Sequence, residues 1–180
     1  MPLIEKRYAQ ALVDLSAQDG KIESYGNDLK YVANVYNTDE DFRTFLQNPK
    51  IKENIKKEVI KSAFGKTVQP KLINFMLVLV DKRRINLISG IKEEFQRLSD
   101  KRMNILNIDV VSAVPIEDML IAKIRDKYVR LYNAASANVK TSLDPALIGG
   151  VKVIIGDKVI DGSISGRLSG LMKHITESAV

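Results

Sequence analysis

The residues of this sequence that could do chemistry lie mainly between positions 144 and 168, where glycines and aspartates separate short apolar runs. A phosphate-binding loop needs glycine amides followed by a lysine and a hydroxyl side chain at fixed spacing. Here five residues separate Gly150 from Gly156, Asp157 replaces the lysine, and Val159 stands where the hydroxyl is required. The spacing argues against a nucleotide site and predicts no bound cofactor.

The same segment fails the pattern of a nucleophile elbow, in which a serine stands at the centre of a sharp strand-to-helix turn. In the run from Gly162 to Gly166, Ile164 occupies the nucleophile position. The sole histidine, His174, falls on a predicted amphipathic terminal helix, and we expect it to be a surface residue rather than a base or ligand. The chain has no cysteine, which excludes thiolate metal sites and disulfides. We predict no catalytic residue and no metal site.

Three aspartates of this segment raise the alternative of an acidic cluster for metal binding or acid/base chemistry. Asp144, Asp157 and Asp161 each stand beside a turn-forming residue. Aspartate is common at such positions because its carboxylate bonds to local backbone groups, so we interpret all three as turn residues. Gly156 and Asp157 form a two-residue hairpin signal between the runs VKVII and KVI.

The remaining glycines of the segment predict close backbone packing. Gly149 and Gly150 permit a bulge or the close approach of another stretch of backbone. Asp161, Gly162 and Ser163 are expected to end a strand and to cap the last helix. The segment therefore predicts a strand, a tight turn, a second strand and a capped helix.

Composition indicates a folded, soluble protein. Of its 180 residues, 45% are hydrophobic, which is too many for an intrinsically disordered chain. The longest apolar run, FMLVLV at residues 75–80, is far shorter than the roughly 20 residues that span a bilayer. The first residues, MPLIEKRYAQAL, have an amphipathic rhythm and lack the apolar core of an export signal.

The net charge of +6 makes nucleic-acid binding the main alternative function. Seven lysines and two glutamates lie between Lys50 and Lys71, and we expect these lysines to lie on the solvated polar face of one helix. The segment has no arginine and no recognisable nucleic-acid motif. A basic helical nucleic-acid-binding protein would be retained on DNA in a salt-dependent way. A small enzyme built on the C-terminal half, the third alternative, would show turnover or tight nucleotide binding.

Residues 1–105 follow the 3.6-residue period of amphipathic helices and predict a bundle of six helices. Thr38 is expected to cap the third helix, Gly65 to end the fourth in the left-handed conformation, and Pro70 to open the fifth. The fifth helix, KLINFMLVLVDKRR, is apolar almost all round, so we expect it to be the covered centre of the bundle. The alternative is that one of its sides faces a groove filled by a helix of another protein.

After Asn104 the apolar period changes from 3.6 residues to two, which indicates β-strands. A strand, a helix, further strands and a final helix follow along the sequence. The predicted fold class is therefore α+β. An N-terminal six-helix bundle occupies residues 1–105, and a small C-terminal α/β domain occupies residues 106–180.

Taken together, these motifs resemble one protein family over the whole chain. The segment LIGGVKVIIGDKVIDGSISGRLSGL is similar nearly throughout to the C-terminal signature of the delta subunit of bacterial rotary ATP synthases, the family of the mitochondrial oligomycin-sensitivity-conferring protein. The N-terminal KRYAQAL is similar to the first-helix motif of that family. The signature residues are Gly149, Gly150, Gly156, Asp161, Gly162, Ser163, Arg167 and Leu168.

The resemblance implies a peripheral-stalk, or stator, subunit without an active site or cofactor. In this family the helical bundle binds N-terminal segments of the alpha subunits, and the C-terminal domain joins the C-terminal helices of the membrane-anchored b subunits. This linkage holds the catalytic head still against rotor torque, so that ATP synthesis is coupled to proton transport. One copy per complex, monomeric when free, is expected at the cytoplasmic face of the bacterial cell membrane, with membrane contact only through the complex.

The resemblance also implies which residues contact the alpha subunits. In this family the alpha-subunit helix lies against the first and fifth helices of the bundle. Small Ala11 would allow two backbones to approach closely, and Tyr8 would place an apolar ring with a hydroxyl at the rim of the groove. The matching positions are Tyr8, Ala11, Leu12, Leu15, Phe75, Val78 and Leu79.

Overall fold

The computed structural model describes residues 2–166, and the chain divides into two compact units, Met1–Ser99 and Asp100–Val180. The division falls inside the sixth helix, whereas the change of apolar period places it after residue 105. In the described part of the chain the first unit is helical and the second contains the β-sheet. This arrangement confirms the α+β fold class.

The first unit is the predicted six-helix bundle. The sixth helix follows a short 3-10 turn at Ile85–Leu87 and continues into the second unit. The helices are α1 (Pro2–Gln18), α2 (Ile22–Thr38), α3 (Glu40–Gln47), α4 (Glu53–Phe64), α5 (Pro70–Asp81) and α6 (Ile88–Arg102).

Two of the three predicted helix boundaries in this unit differ from the structure. Thr38 still belongs to α2, where its hydroxyl donates to the Asn34 carbonyl, so Asp39 caps α3 by accepting a hydrogen bond from the Phe42 amide at 2.9 Å. Gly65 ends α4 in the right-handed region, with φ −59°. It does so because the chain continues in a further turn, in which the Val68 amide bonds to the Phe64 carbonyl. Pro70 opens α5 as predicted.

The core of the first unit receives five residues of α5, but that helix is not covered on every side. Leu72, Ile73, Met76, Leu79 and Val80 are buried, and large side chains such as Tyr25, Phe64 and Phe95 fill the space around them. Val78, by contrast, is 46% exposed. The helix is therefore covered on several sides, as expected, while one of its sides reaches the surface.

The second unit contains a mixed four-stranded sheet in the order β2-β1-β3-β4. β1 pairs in parallel with β2, and a crossover helix connects these two strands. β3 pairs antiparallel with both β1 and β4. Its elements are β1 (Ile105–Ser112), α7 (Asp118–Tyr132), β2 (Ser136–Leu143), β3 (Val151–Ile155) and β4 (Lys158–Asp161), with a 3-10 turn at Pro145–Leu147.

One face of this sheet packs against α7. Alternating residues of β1 and β3, which include Ile108, Val110 and Val153, pack against Ile124 and Tyr128 of the helix. This alternation is the period-two pattern expected of half-buried strands. Only the start of the last predicted helix, residues 164–166, is described. The residues predicted to form the rest of that helix, among them Leu168, Leu171, Met172, His174 and Ile175, lie outside the described residues.

Candidate functional site

The first and fifth helices of the bundle meet through an aromatic pair. The rings of Tyr8 on α1 and Phe75 on α5 lie with their centroids 6.0 Å apart and their planes at 77°. Edge-to-face packing of this kind is a favourable arrangement of two aromatic side chains. Both rings are only half-buried, so the pair lies at the surface of the unit rather than in its centre.

Polar contacts join the same two regions of the chain on either side of the aromatic pair. Lys71, in the first turn of α5, forms an ion pair at 2.6 Å with Asp19, which follows α1. Arg84, which follows α5, donates a hydrogen bond of 3.1 Å to the Tyr8 hydroxyl, and its guanidinium carbon lies 5.8 Å from the centre of the Tyr8 ring. The two helices therefore run in opposite directions, with a cation at each end of their line of contact.

The seven predicted contact residues divide between this surface and the core. Leu12 and Leu79 are 1% and 0% exposed and belong to the core, so neither is available to a partner in this structure. Ala11 and Val78 are exposed, although each directly precedes one of the buried leucines in sequence. One residue along a helix is a rotation of about 100°, which is enough to turn a side chain from the core to the surface.

We name the surface residues of this set the α1–α5 seam. They comprise two exposed residues, one on each helix, and three half-buried ones. The seam consists of Tyr8, Ala11, Leu15, Phe75 and Val78.

Asp19, at one end of the seam, is held ionised by its neighbours. Hydrogen bonds from Lys71 and from the hydroxyl of Tyr25, the latter at 2.7 Å, lower the pKa of its carboxyl. Burial and the bond to Asp19 raise the pKa of Tyr25 to about 12. Lys71 is thus paired with a carboxylate, whereas Arg84, at the other end of the seam, forms no ion pair with a carboxylate among residues 2–166.

Three of the four signature glycines, Gly149, Gly150 and Gly162, form a packed corner between β3 and the start of the last helix. Gly150 has φ +79°, and a Cβ placed there would lie 2.6 Å from the Gly162 carbonyl oxygen. The backbone segments are also joined by hydrogen bonds of 3.0 Å from the Gly162 amide to Val151 and from the Ile164 amide to Gly149. This close approach confirms the prediction for Gly149 and Gly150.

Asp161 and Ser163 complete this corner by capping the helix. The Asp161 carboxylate accepts hydrogen bonds from the amide and hydroxyl of Ser163 at 2.8 and 2.6 Å, and these bonds lower the pKa of the carboxyl. The Ser163 hydroxyl oxygen accepts in turn from the Gly166 amide at 3.0 Å, as expected of a cap residue. The hydrogen bonds of this corner therefore fix the backbone at the start of the last helix. Arg167 and Leu168, the last two signature residues, lie outside the described residues.

The other two aspartates of the segment are turn residues in the structure. Asp144 accepts a hydrogen bond from the Ala146 amide at 3.0 Å. Asp157 follows Gly156, whose φ is +57°, in the two-residue turn that joins β3 to β4. Between residues 2 and 166 no group of three or more histidine, cysteine, aspartate or glutamate side chains could hold a metal ion.

The lysines between positions 50 and 71 do not share one solvated helix face. Helix α4 carries three of them, Lys56, Lys57 and Lys61, and the others lie before or after it. Lys56 is 8% exposed, and Lys57 forms an ion pair at 2.5 Å with Asp81. The expected continuous basic face is therefore wrong, because tertiary packing buries or neutralises several of its members.

A comparison with known proteins identifies the family. The family model described as ATP synthase delta (OSCP) subunit matches residues 4–175. The chain belongs to this family. It is 43% identical to the ATP synthase subunit delta of Acetivibrio thermocellus, over 98% of this chain and 99% of that protein. It is 40% identical to the protein of the same name from Ruminiclostridium cellulolyticum, with the same coverage.

A solved structure supports the fold. The chain resembles one chain of the cryo-EM structure of the Toxoplasma gondii mitochondrial ATP synthase hexamer with a TM-score of 0.72, covering 96% of this chain and 97% of that one. The two sequences are 19% identical, so this likeness establishes the fold alone.

The family assignment confirms the expected role as a peripheral-stalk subunit of an ATP synthase. No observation supports the nucleic-acid-binding alternative, and the lysine positions described above remove its main argument. No helix within the described residues has the length and apolar character needed to cross a membrane.

Proposed function

We propose that this delta-family subunit joins the catalytic head of the ATP synthase to the membrane-anchored stalk through two surfaces. The first unit binds the N-terminal segments of the alpha subunits, and the second unit binds the C-terminal helices of the b subunits. In this role the chain has no catalytic activity of its own. It transmits mechanical load, so that rotor torque drives ATP synthesis rather than rotation of the head.

The observation that carries this proposal is the α1–α5 seam. Val78 is 46% exposed and lies about one helical turn from Phe75, whose half-buried ring packs against that of Tyr8, so the apolar residues of the two helices continue to the surface. An amphipathic helix can place its apolar side chains against such a surface. Ala11 has a small side chain in the exposed part of α1, which leaves space for a partner backbone to approach.

Arg84, the cation at one end of the seam, suits an acidic residue of such a partner. Arg84 donates to the Tyr8 hydroxyl and keeps further guanidinium N–H groups available. An acidic side chain at the end of a docked helix would find a charged donor there. The apolar centre and this charged end favour an amphipathic segment over a purely polar one.

The second unit has a different kind of surface for the stalk. Its described residues expose apolar side chains at several places outside the core of the sheet. Binding of b-subunit helices would cover a part of this surface. The most exposed are Val114, Met119, Leu131, Leu143, Ile148 and Val159.

These two contacts define where the subunit acts. We propose that a single copy, monomeric when free, is held at the cytoplasmic face of the bacterial cell membrane by its partners. Each contact alone would leave the head or the stalk unconnected. Linkage therefore requires both units in one chain.

A crosslinking experiment in the assembled enzyme tests the seam. The chain has no cysteine, so Ala11→Cys introduces a unique site for a photo-crosslinker on the exposed side of α1. Ala63→Cys is the matched control, because Ala63 is also an exposed helical alanine of the first unit. We expect the alpha subunit to be captured from Ala11→Cys and much less from Ala63→Cys. Equal capture from both sites, or capture of alpha from Ala63→Cys alone, would contradict the proposal.

A further inference from the structure

A cleft on another side of α5 from the seam is lined by the end of α3, the first turn of α4 and the 3-10 turn. Its volume is about 310 Å³, which is within the range of small-molecule sites. Leu46, Ile51, Val80 and Ile85 supply apolar walls. The polar lining consists of Gln47, Glu53, Lys56, Arg83 and Asn86.

Lys56 is the unusual residue of this cleft. It is only 8% exposed, and a lysine that is buried to this extent normally has a charged partner. The neighbouring Lys57 follows this rule, because its ammonium lies 2.5 Å from the Asp81 carboxylate. The Lys56 ammonium, by contrast, makes no hydrogen bond or ion pair with any residue in the described part of the chain. This ammonium still reaches solvent, because within the described part of the chain the one fully enclosed side-chain polar atom without a hydrogen-bond partner is Ser99 Oγ. It is therefore available to a bound group.

The one carboxylate in the cleft is already engaged. Arg83 donates a hydrogen bond of 3.3 Å to Glu53. The pKa of the Glu53 carboxyl is lowered mainly by a bond from its own backbone amide, then by Arg83, with a smaller contribution from the charge of Lys56. The cleft thus contains two cations and one carboxylate, and Gln47 and Asn86 can donate further amide N–H groups.

We propose that this cleft binds a small organic anion. The negatively charged head of the ligand, a carboxylate or phosphate, pairs with the Lys56 ammonium. Its apolar body lies against Ile51, Val80 and Ile85. Inorganic phosphate alone would leave this apolar wall unused, and a neutral apolar molecule would leave Lys56 unpaired.

Titrations of the full-length protein with three probes test this site. Hexanoate has both an anionic head and an apolar body, 1-hexanol lacks the charge, and inorganic phosphate lacks the apolar part. We expect hexanoate to shift the methyl resonances of Ile51 and Ile85 saturably, and to bind more tightly than either of the other probes. Absence of a saturable shift, or equal binding of all three probes, overturns the proposal without any variant.

Lys56→Met then tests the assigned residue. Loss of a charged hydrogen bond weakens binding by about tenfold to a hundredfold, so hexanoate affinity should fall by that factor. Lys61→Met, a change at an exposed lysine of the same helix, should leave the affinity unchanged. Without ligand, Lys56→Met should melt at the same or a higher temperature than the wild type, since an unpaired ammonium has been removed. Unchanged hexanoate affinity or a lower melting temperature would assign Lys56 a structural role and overturn the proposal.

Discussion

The two units of the chain use their most distinctive residues for different purposes. In the second unit, the residues by which the sequence is identified form a corner where Gly150 and Gly162 bring two backbone segments together. In the first unit, the candidate interface begins at Tyr8 and Ala11 of the KRYAQAL motif and continues to ordinary apolar side chains such as Val78, which lies outside both quoted motifs. The comparison teaches that a family signature can mark a requirement of folding, whereas a binding surface can extend from a short motif into residues of a common helical pattern.

The largest effect is expected from a truncation in the core of the first unit. Leu79→Ala removes a side chain that is 0% exposed, and such changes cost about 2–5 kcal/mol of unfolding free energy. Val78→Ala, one residue away on the exposed side, should change it by no more than about 0.5 kcal/mol. Urea unfolding followed by the amide resonances of residues 2–99 measures both. Similar costs for the two variants would contradict the division of α5 into a core side and a seam side.

The next effect concerns the corner of the second unit. Gly150→Ala forces a side chain into a left-handed backbone position and against the Gly162 carbonyl oxygen. We expect a loss of about 2–3 kcal/mol, at the upper end of the cost of local backbone strain. Gly156→Ala is the matched control, because Gly156 has φ +57° but no atom lies within 4 Å of its Cβ position. That variant should lose only about 1 kcal/mol.

The amide resonances of the sheet residues 105–161 give the readout for this pair of variants. The resonances of the first unit should keep their wild-type urea midpoint in both. If Gly150→Ala is no more destabilising than Gly156→Ala, the close approach of the two backbones does not contribute to stability and the account of the signature is wrong.

A smaller loss of stability is expected when the pH is lowered, and one aspartate in each unit contributes to it. The folded-state pKa of Asp19 is lowered by hydrogen bonds from Lys71 and Tyr25, and that of Asp161 by hydrogen bonds from Ser163. Each carboxylate therefore adds stability that is complete above its unfolded pKa of about 3.9. This stability is lost as the pH falls through the lower folded value, because the unfolded chain binds the proton more readily.

Unfolding midpoints measured between neutral pH and about pH 3 test this sign. Asp19→Asn should reduce the acid sensitivity of the first unit alone, and Asp161→Asn that of the second unit alone. An unchanged slope of stability against pH in both variants would show that these hydrogen bonds do not distinguish the folded from the unfolded state.

The sequence predicts the features that depend on local pattern. The six helices follow from apolar spacing, the Gly156 hairpin from turn chemistry, and the Ser163 cap from its place before a helix. It does not predict which members of an apolar stripe face outward. Leu12 and Ala11 differ in burial only because other helices pack on one of the two sides, and this information is tertiary.

The burial of Lys56 is the clearest example of information that local pattern lacks. A lysine in a run of lysines is normally solvated, and no spacing rule identifies the one that lines a cleft. Gly65 is similar, because its conformation depends on the turn that follows rather than on the helix that it ends. Both predictions failed where neighbouring elements, rather than the residue itself, determine the outcome.

The most direct test of the central claim is a calorimetric titration of the full-length protein with a peptide from the N-terminus of the cognate alpha subunit. Ala11→Asp places a charge on the exposed side of α1 within the seam, where a docked helix would remove it from water. We expect it to weaken binding by about 2–4 kcal/mol, as at an interface hot spot, while its melting temperature stays close to that of the control Ala63→Asp. If Ala11→Asp keeps wild-type affinity for the peptide while folded, the seam is not the alpha-binding surface.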